Sequence, residues 1–298
     1  MIDLYRFQRF LVEDPVALAL AASWFFGLAL VLTQFGLQHL SPRRGALVSI
    51  PTSTALLWVL APFMLGGGGG NRYAVAIFLA VGLFFPAGVT LLTFEANRRM
   101  GPSVTGALGN LTPLFAIGLA ALLFGDVPRP LHAVGMAVIF AGVVLLSVDR
   151  RWSGGRWSVW VMALPLAAAA IRGATQPIAK FGLALWPSPF AAALIGYTVS
   201  SLVVAGAALL REKERSSDRP GRGFLWFSSV GLCNGCAVLA LYVALHHGPV
   251  TLVSPLVATY PLFTLVLTTI FFRGTRLELR RVAGVVTTVA GVAVLLSA

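Results

Sequence analysis

Five short segments of this chain occur twice, in the same order and at nearly one spacing. Phe35-Gly36-Leu37 with Ser41-Pro42 returns as Phe181-Gly182-Leu183 with Ser188-Pro189. Val81-Gly82-Leu83 returns as Val230-Gly231-Leu232, Gly101-Pro102 as Gly248-Pro249, Pro113-Leu114-Phe115 as Pro261-Leu262-Phe263, and Ala141-Gly142-Val143 as Ala290-Gly291-Val292. The offsets are 146, 149, 147, 148 and 149 residues. One such match is weak, but five in register point to a duplicated unit: whatever the first half folds into, the second half folds into as well.

The apolar runs say what that unit is. Hydrophobic residues make up 58% of the 298 positions and charged residues 11%, against about 25% charged in an ordinary soluble domain. Several runs reach the ~20 apolar residues that cross a bilayer core. The pattern predicts ten spans, at 15–39, 45–65, 73–96, 103–124, 129–148, 158–185, 189–210, 223–246, 250–272 and 278–297. Five spans per half is an odd number, so the halves have opposite orientations, the inverted repeat of many secondary transporters. The expected fold is all-α and integral to the membrane: a first five-helix repeat at 1–148, a connecting loop at 149–157 and a second five-helix repeat at 158–298. The five glycines at 66–70 read as a flexible turn. The first run is too long for a signal-peptide h-region and no clear cleavage site follows it.

The net charge of +12 does not signal a nucleic-acid partner, because the basic residues lie in short clusters between apolar runs. The expected surroundings are a lipid bilayer, that of a cell (inner) membrane, and the expected partner is a small-molecule substrate; a homodimer is admitted. Loops after odd-numbered spans hold sixteen Lys and Arg, against four in the N-terminal segment and the loops after even-numbered spans. That bias places the odd loops in the cytoplasm and both termini outside. A reporter active only in the cytoplasm should therefore stay silent when fused at Ala298, and activity there would overturn the assignment.

The Gly-Pro turns into spans four and nine, the Pro-Leu-Phe within each, and the glycine-rich fifth helix of each half resemble the EamA-type repeats of the drug/metabolite transporter superfamily. The resemblance covers almost the whole chain. The Gly-Glu that usually follows the fourth helix is Gly125-Asp126 in the first half and is replaced by Arg273-Gly274 in the second. The resemblance implies ten helices and the export or import of small metabolites. It also implies cytoplasmic termini, in conflict with the charge count.

The clue to the cargo lies at 158–186. Thirteen apolar residues at 159–171 lead into Arg172, Gln176 and Lys180, which share one helical stripe. Their counterparts 146 residues earlier are Phe26, Leu30 and Gln34, so the charge is an addition to one half. Arg in mid-span costs roughly 2.5–3.5 kcal/mol on translocon scales, which favours a cavity-facing Arg172. Lys180 sits nearer the interface, where a lysine can snorkel. No Asp or Glu lies well inside a span; Glu95, at the end of span three, has Arg98 and Arg99 at i+3 and i+4 for a local ion pair. A cationic stripe without a buried counter-charge calls for an anionic group on the ligand.

Interruptions at matching places in two inverted halves point to a midplane site. Pro86 in span three falls opposite Gly235 in span eight, with Asn234 beside it. Spans four and nine add Asn110, Thr112 and Pro113, and Ser254, Thr259, Tyr260 and Pro261. Gly135, Gly142, Gly284 and Gly291 read as packing positions of spans five and ten.

The substrate-binding residues expected are thus Arg172, Gln176, Asn234, Gln34, Tyr260, Asn110 and Lys180, with Trp24 and Phe26 as an apolar wall. The expected function is a secondary transporter of a small anionic or zwitterionic metabolite, an amino acid or organic acid, whose two halves rock in alternating access. A flippase for a lipid-linked anionic head group is the alternative. A membrane-embedded enzyme is less well supported: Cys233 and Cys236 are a lone pair, and no catalytic group, cofactor site or metal-ligand cluster is expected in the spans.

Overall fold

The computed structural model describes residues 14–65, 70–125, 128–147, 159–209, 220–271 and 279–297. Asp126, Arg273 and Gly274 lie outside them, as do many of the loop arginines. Twelve helices follow in order: α1 (Pro15–Gly36), α2 (Pro42–Met64), α3 (Arg72–Phe84), α4 (Ala87–Gly109), α5 (Thr112–Phe124), α6 (Pro130–Ser147), α7 (Val159–Leu185), α8 (Pro189–Leu209), α9 (Pro220–His247), α10 (Val250–Val257), α11 (Tyr260–Phe271) and α12 (Leu279–Leu296). Five begin at a proline, which has no N–H to leave unsatisfied there. Asp14 caps α1 by accepting from the Val16 N–H at 3.0 Å, and Asn71 caps α3 by accepting from the Tyr73 N–H at 2.9 Å. Six helical stretches are long and apolar enough to cross a membrane, and α5, α6 and α12 supply shorter apolar ones. The protein is an all-helical membrane protein.

The twelve described helices make ten spans because spans three, four and nine are each broken while α4 runs on from span three into span four. In span three the break is Phe85–Pro86, between α3 and α4. Pro86 cannot donate to the Gly82 carbonyl; the Ser200 hydroxyl of α8 does so instead, at 2.7 Å, and accepts from the Ala87 N–H at 3.2 Å. The interruption expected opposite it in span eight is absent: α9 is helical through Asn234-Gly235, since a glycine only weakens a helix that proline would break. The duplicated breaks are instead those of spans four and nine. The Leu111 N–H donates to the Leu108 carbonyl at 3.2 Å and the Leu114 N–H to Leu111 at 3.0 Å; 148 residues later Thr259 donates to Leu256 at 3.1 Å and Leu262 to Thr259 at 2.9 Å. Gly101-Pro102 lies within the helical backbone of α4, whereas Gly248-Pro249 separates α9 from α10.

The packing repeats as the sequence does. A Cβ at Gly27 of α1 would stand 2.9 Å from the Tyr260 carbonyl oxygen and 3.0 Å from the Phe263 Cβ. A Cβ at Gly173 of α7 would stand 2.6 Å from the Thr112 carbonyl oxygen and 2.6 Å from the Phe115 Cβ. Each glycine lets one helix of its half press against the broken span of the other half. Gly142 likewise approaches Thr288 and the Gly284 carbonyl, while Gly291 approaches Ile139 and the Gly135 carbonyl, so spans five and ten pack as the small-residue spacing predicts.

All of the most extensive helix contacts run between the halves. Span one (α1) packs on α9, α10 and α11, and α2 packs on α9; their mirror is α7 on α3, α4 and α5, with α3 on α8. The result is two bundles, one of spans one, two, eight and nine, the other of spans three, four, six and seven. They meet where α2 crosses α8, and α6 pairs with α12. The halves are therefore interlaced and do not lie side by side as two bodies. An isolated half would expose most of its helix-packing surface.

Candidate functional site

Both kinds of feature, the breaks and the stripe, converge on one internal cavity of about 130 Å³. It straddles the pseudo-twofold relation between the halves, since duplicated positions line it in pairs: Phe26 with Arg172, Leu30 with Gln176, Ile50 with Tyr197, Val89 with Val238, Gly109 with Val257, and Thr112 with Tyr260. The fold gives both halves the same access to the cavity, and the side chains make it asymmetric. In each of these pairs the second half supplies a side chain at least as large or as polar as the first.

Arg172 is the one charged side chain among the described residues that line it. Tyr260, close enough to feel its charge, lines the same space. Tyr260 is the first residue of α11 and Thr112 the first of α5, so two helix N-termini border the same space. The C-terminal ends of α4 at Gly109 and of α10 at Val257 border it too. The breaks thus present donor and acceptor ends together, and the formal charge of the site is that of Arg172.

Polar capacity is held in reserve around it. The side-chain oxygen of Gln176 and the hydroxyls of Ser49, Thr105 and Ser254 are buried without a hydrogen-bond partner among the described residues. These residues are at most 3% exposed, and an unmet buried polar group costs about 1–3 kcal/mol. Such groups are what a polar ligand would satisfy. Phe26, Phe85, Phe94 and Leu241 supply apolar wall.

Four of the seven expected site residues, Arg172, Gln176, Asn234 and Tyr260, come together here, as does Phe26. Gln34 does not: Thr33, one position earlier, lines the cavity in its place. Asn110 lies between Gly109 and Thr112 but is 2% exposed and does not line the cavity, and neither of its amide atoms has a partner among the described residues. Trp24 is 39% exposed, away from the cavity, with its ring edge-on to Phe25. Lys180 is also elsewhere. Its ammonium donates to the carbonyls of Leu245 and Gly248, at 3.2 and 2.5 Å, and so caps the C-terminus of α9. Two helical turns beyond Arg172, it has passed the cavity and met the end of the neighbouring span, where a cation is favourable. Lys180→Met should lower the melting temperature of the purified protein, with a loss of about 1.5–3 kcal/mol for charged hydrogen bonds, and leave the apparent affinity for any transported substrate unchanged. A substrate-affinity loss at normal thermal stability would return Lys180 to the site.

Tyr197, 1% exposed, is among the lining residues that sequence reasoning missed, with Thr33, Ser49 and Thr105. It stands 147 residues after Ile50, which lines the cavity from the other half. Glu95 is paired with Arg99 at 2.6 Å and does not line the cavity.

Comparison with known proteins gives this architecture its family. The sequence profile of the EamA-like transporter family matches residues 15–148 and again 159–297. The chain belongs to the EamA-like transporter family. A relative from Sinorhizobium sp, described as an uncharacterized transporter in the cobO 3' region, is 30% identical over 138 residues, covering 45% of this chain and 92% of the relative. A solved crystal structure superposes with a TM-score of 0.77 at 18% identity, over 94% of this chain and 95% of that one, a likeness of fold. The EamA-like family is one of membrane transporters, so the central cavity of this member is the natural place for a transported molecule.

Proposed function

We propose that this chain is a secondary transporter that carries a small anionic or zwitterionic metabolite, of the amino acid or organic acid class, across the membrane by alternating access. The observation that carries the reading is the cation: Arg172 lines a cavity to which no acidic side chain contributes among the described residues. An ion in a low-dielectric interior is tolerated when it is paired, and here a ligand anion supplies the pair. A carrier of cationic drugs would need the opposite sign.

The interlaced packing bears on how access alternates. The bodies that move are the two mixed bundles, spans one, two, eight and nine against spans three, four, six and seven, because separating the two sequence halves would unpack nearly every span. The cavity lies between these bundles, and the crossing of α2 with α8 serves as a shared seam. There the Thr54 hydroxyl meets the Ser201 hydroxyl at 2.7 Å and donates to the Tyr197 carbonyl at 2.9 Å.

The test is uptake into proteoliposomes of amino acids, organic acids, sugar phosphates and cationic drugs, with and without a pH gradient. Carboxylate-bearing substrates should be taken up and cationic drugs excluded. Preferential uptake of cationic drugs would overturn the proposal.

A further inference from the structure

We propose that the ligand of this cavity is a hydroxy monocarboxylate, a monoanion whose carboxylate pairs with Arg172 and whose hydroxyl donates to the Gln176 side-chain oxygen. The proposal rests on the reading of the cavity as an anion site and narrows it, excluding amino-acid zwitterions and dianions.

Formal charge is the first argument. Arg172 is the sole charged residue among the described lining residues, and the helix breaks contribute N-terminal and C-terminal ends in equal number. When the cavity closes around its cargo and sheds water, a zwitterion leaves the interior at +1 and a dianion leaves it at −1. A monoanion alone brings it to neutrality, which a low-dielectric interior favours.

The second argument is hydrogen-bond inventory. Gln176 lies one helical turn after Arg172 on the same stripe, is 2% exposed, and its side-chain oxygen has no partner among the described residues. An amide oxygen only accepts, so the ligand must bring a donor close to its carboxylate. A hydroxyl provides that donor without adding a cation beside Arg172. An ammonium would add one, and none of the described lining residues brings a carboxylate to offset it. A 2-oxo group provides no donor at all. The remaining wall, from Phe26 to Leu241, suits an aliphatic or aromatic body.

The experiment uses the full-length purified protein and matched ligand sets that share a carbon skeleton: the 2-hydroxy acid, the 2-amino acid, the 2-oxo acid and the corresponding hydroxy dicarboxylate. Each set is taken in a short, a branched and a phenyl-bearing skeleton. Binding is measured by calorimetry and by competition in proteoliposome uptake. In the best-bound skeleton the 2-hydroxy acid should bind about tenfold or more tighter than its three analogues. Gln176→Leu should remove its advantage over the 2-oxo acid, and Gln176→Glu should shift preference to the 2-amino acid. A 2-amino acid or dicarboxylate that binds as well as the 2-hydroxy acid overturns this inference; if Arg172→Ala still abolishes carboxylate binding, the anion-site reading survives it. Carboxylate binding that persists unchanged in a folded Arg172→Ala protein overturns both.

Discussion

Replacing Arg172 by alanine is expected to abolish measurable transport of carboxylate substrates while the protein still inserts and folds. The loss removes the only cation among the described residues that line the cavity. It also leaves the ligand carboxylate facing side chains that bear no positive charge. Removing one member of a buried, hydrogen-bonded charge pair costs about 2–5 kcal/mol, or roughly 30- to several-thousand-fold in affinity. Folding should survive because Arg172 is itself expensive to hold in a bilayer interior, so its removal relieves a cost. Arg172→Lys separates charge from geometry. It keeps the charge but loses the planar fork that binds a carboxylate through two parallel bonds, and it should recover only part of the affinity. The check is substrate binding and proteoliposome uptake, beside the melting temperature of each variant. An alanine variant that transports every accepted substrate as the parent does would remove the central assignment.

The second large effect is on the fold. Gly173→Ala is expected to destabilise the protein by about 3 kcal/mol, the upper end for overpacking. The new Cβ would meet the Thr112 carbonyl oxygen and the Phe115 Cβ at 2.6 Å and the Ala116 backbone nitrogen at 2.9 Å. Two of these atoms are backbone, so relief requires shifting the broken span four. Gly27→Ala should act in the same direction, since it meets the Tyr260 carbonyl oxygen at 2.9 Å and the Thr264 nitrogen at 3.1 Å in the mirror-image place. Gly118→Ala is the control: a Cβ there meets nothing within 4 Å, and alanine is the better helix former. Thermal unfolding of the three proteins in detergent tests the set. Equal stability of Gly173→Ala and Gly118→Ala would mean that α7 and α5 do not approach as closely as described.

Much of this architecture is legible before any coordinates. Apolar runs of sufficient length have few fates other than crossing a membrane, because each buries all its backbone polar groups only as a helix. The five repeated segments identify the duplication, and an odd number of spans per half sets the inversion. Pro86 marks a break because proline lacks the donor that a helix interior needs. Gly235 does not mark one, because glycine keeps its N–H and tertiary packing can hold it helical.

The stripe 172–176–180 shows where sequence stops. Periodicity puts Arg172, Gln176 and Lys180 on one face of α7, but a face is longer than a cavity. What lies opposite each turn of that face is set by helices from the other half of the chain. Arg172 and Gln176 meet Tyr260 and the central space, whereas Lys180 meets the end of α9 and becomes a cap. Gln34, at the matching position of α1, misses the cavity for the same reason, and Tyr197 enters it from a span that carries no polar stripe. The sequence by itself determined the membrane class, the duplication and the sign of the charge inside it, since these depend on composition and local chemistry. The tertiary structure alone decided that the halves interlace and which turn of each helix faces the cargo, because both are set by contacts between residues about half the chain apart.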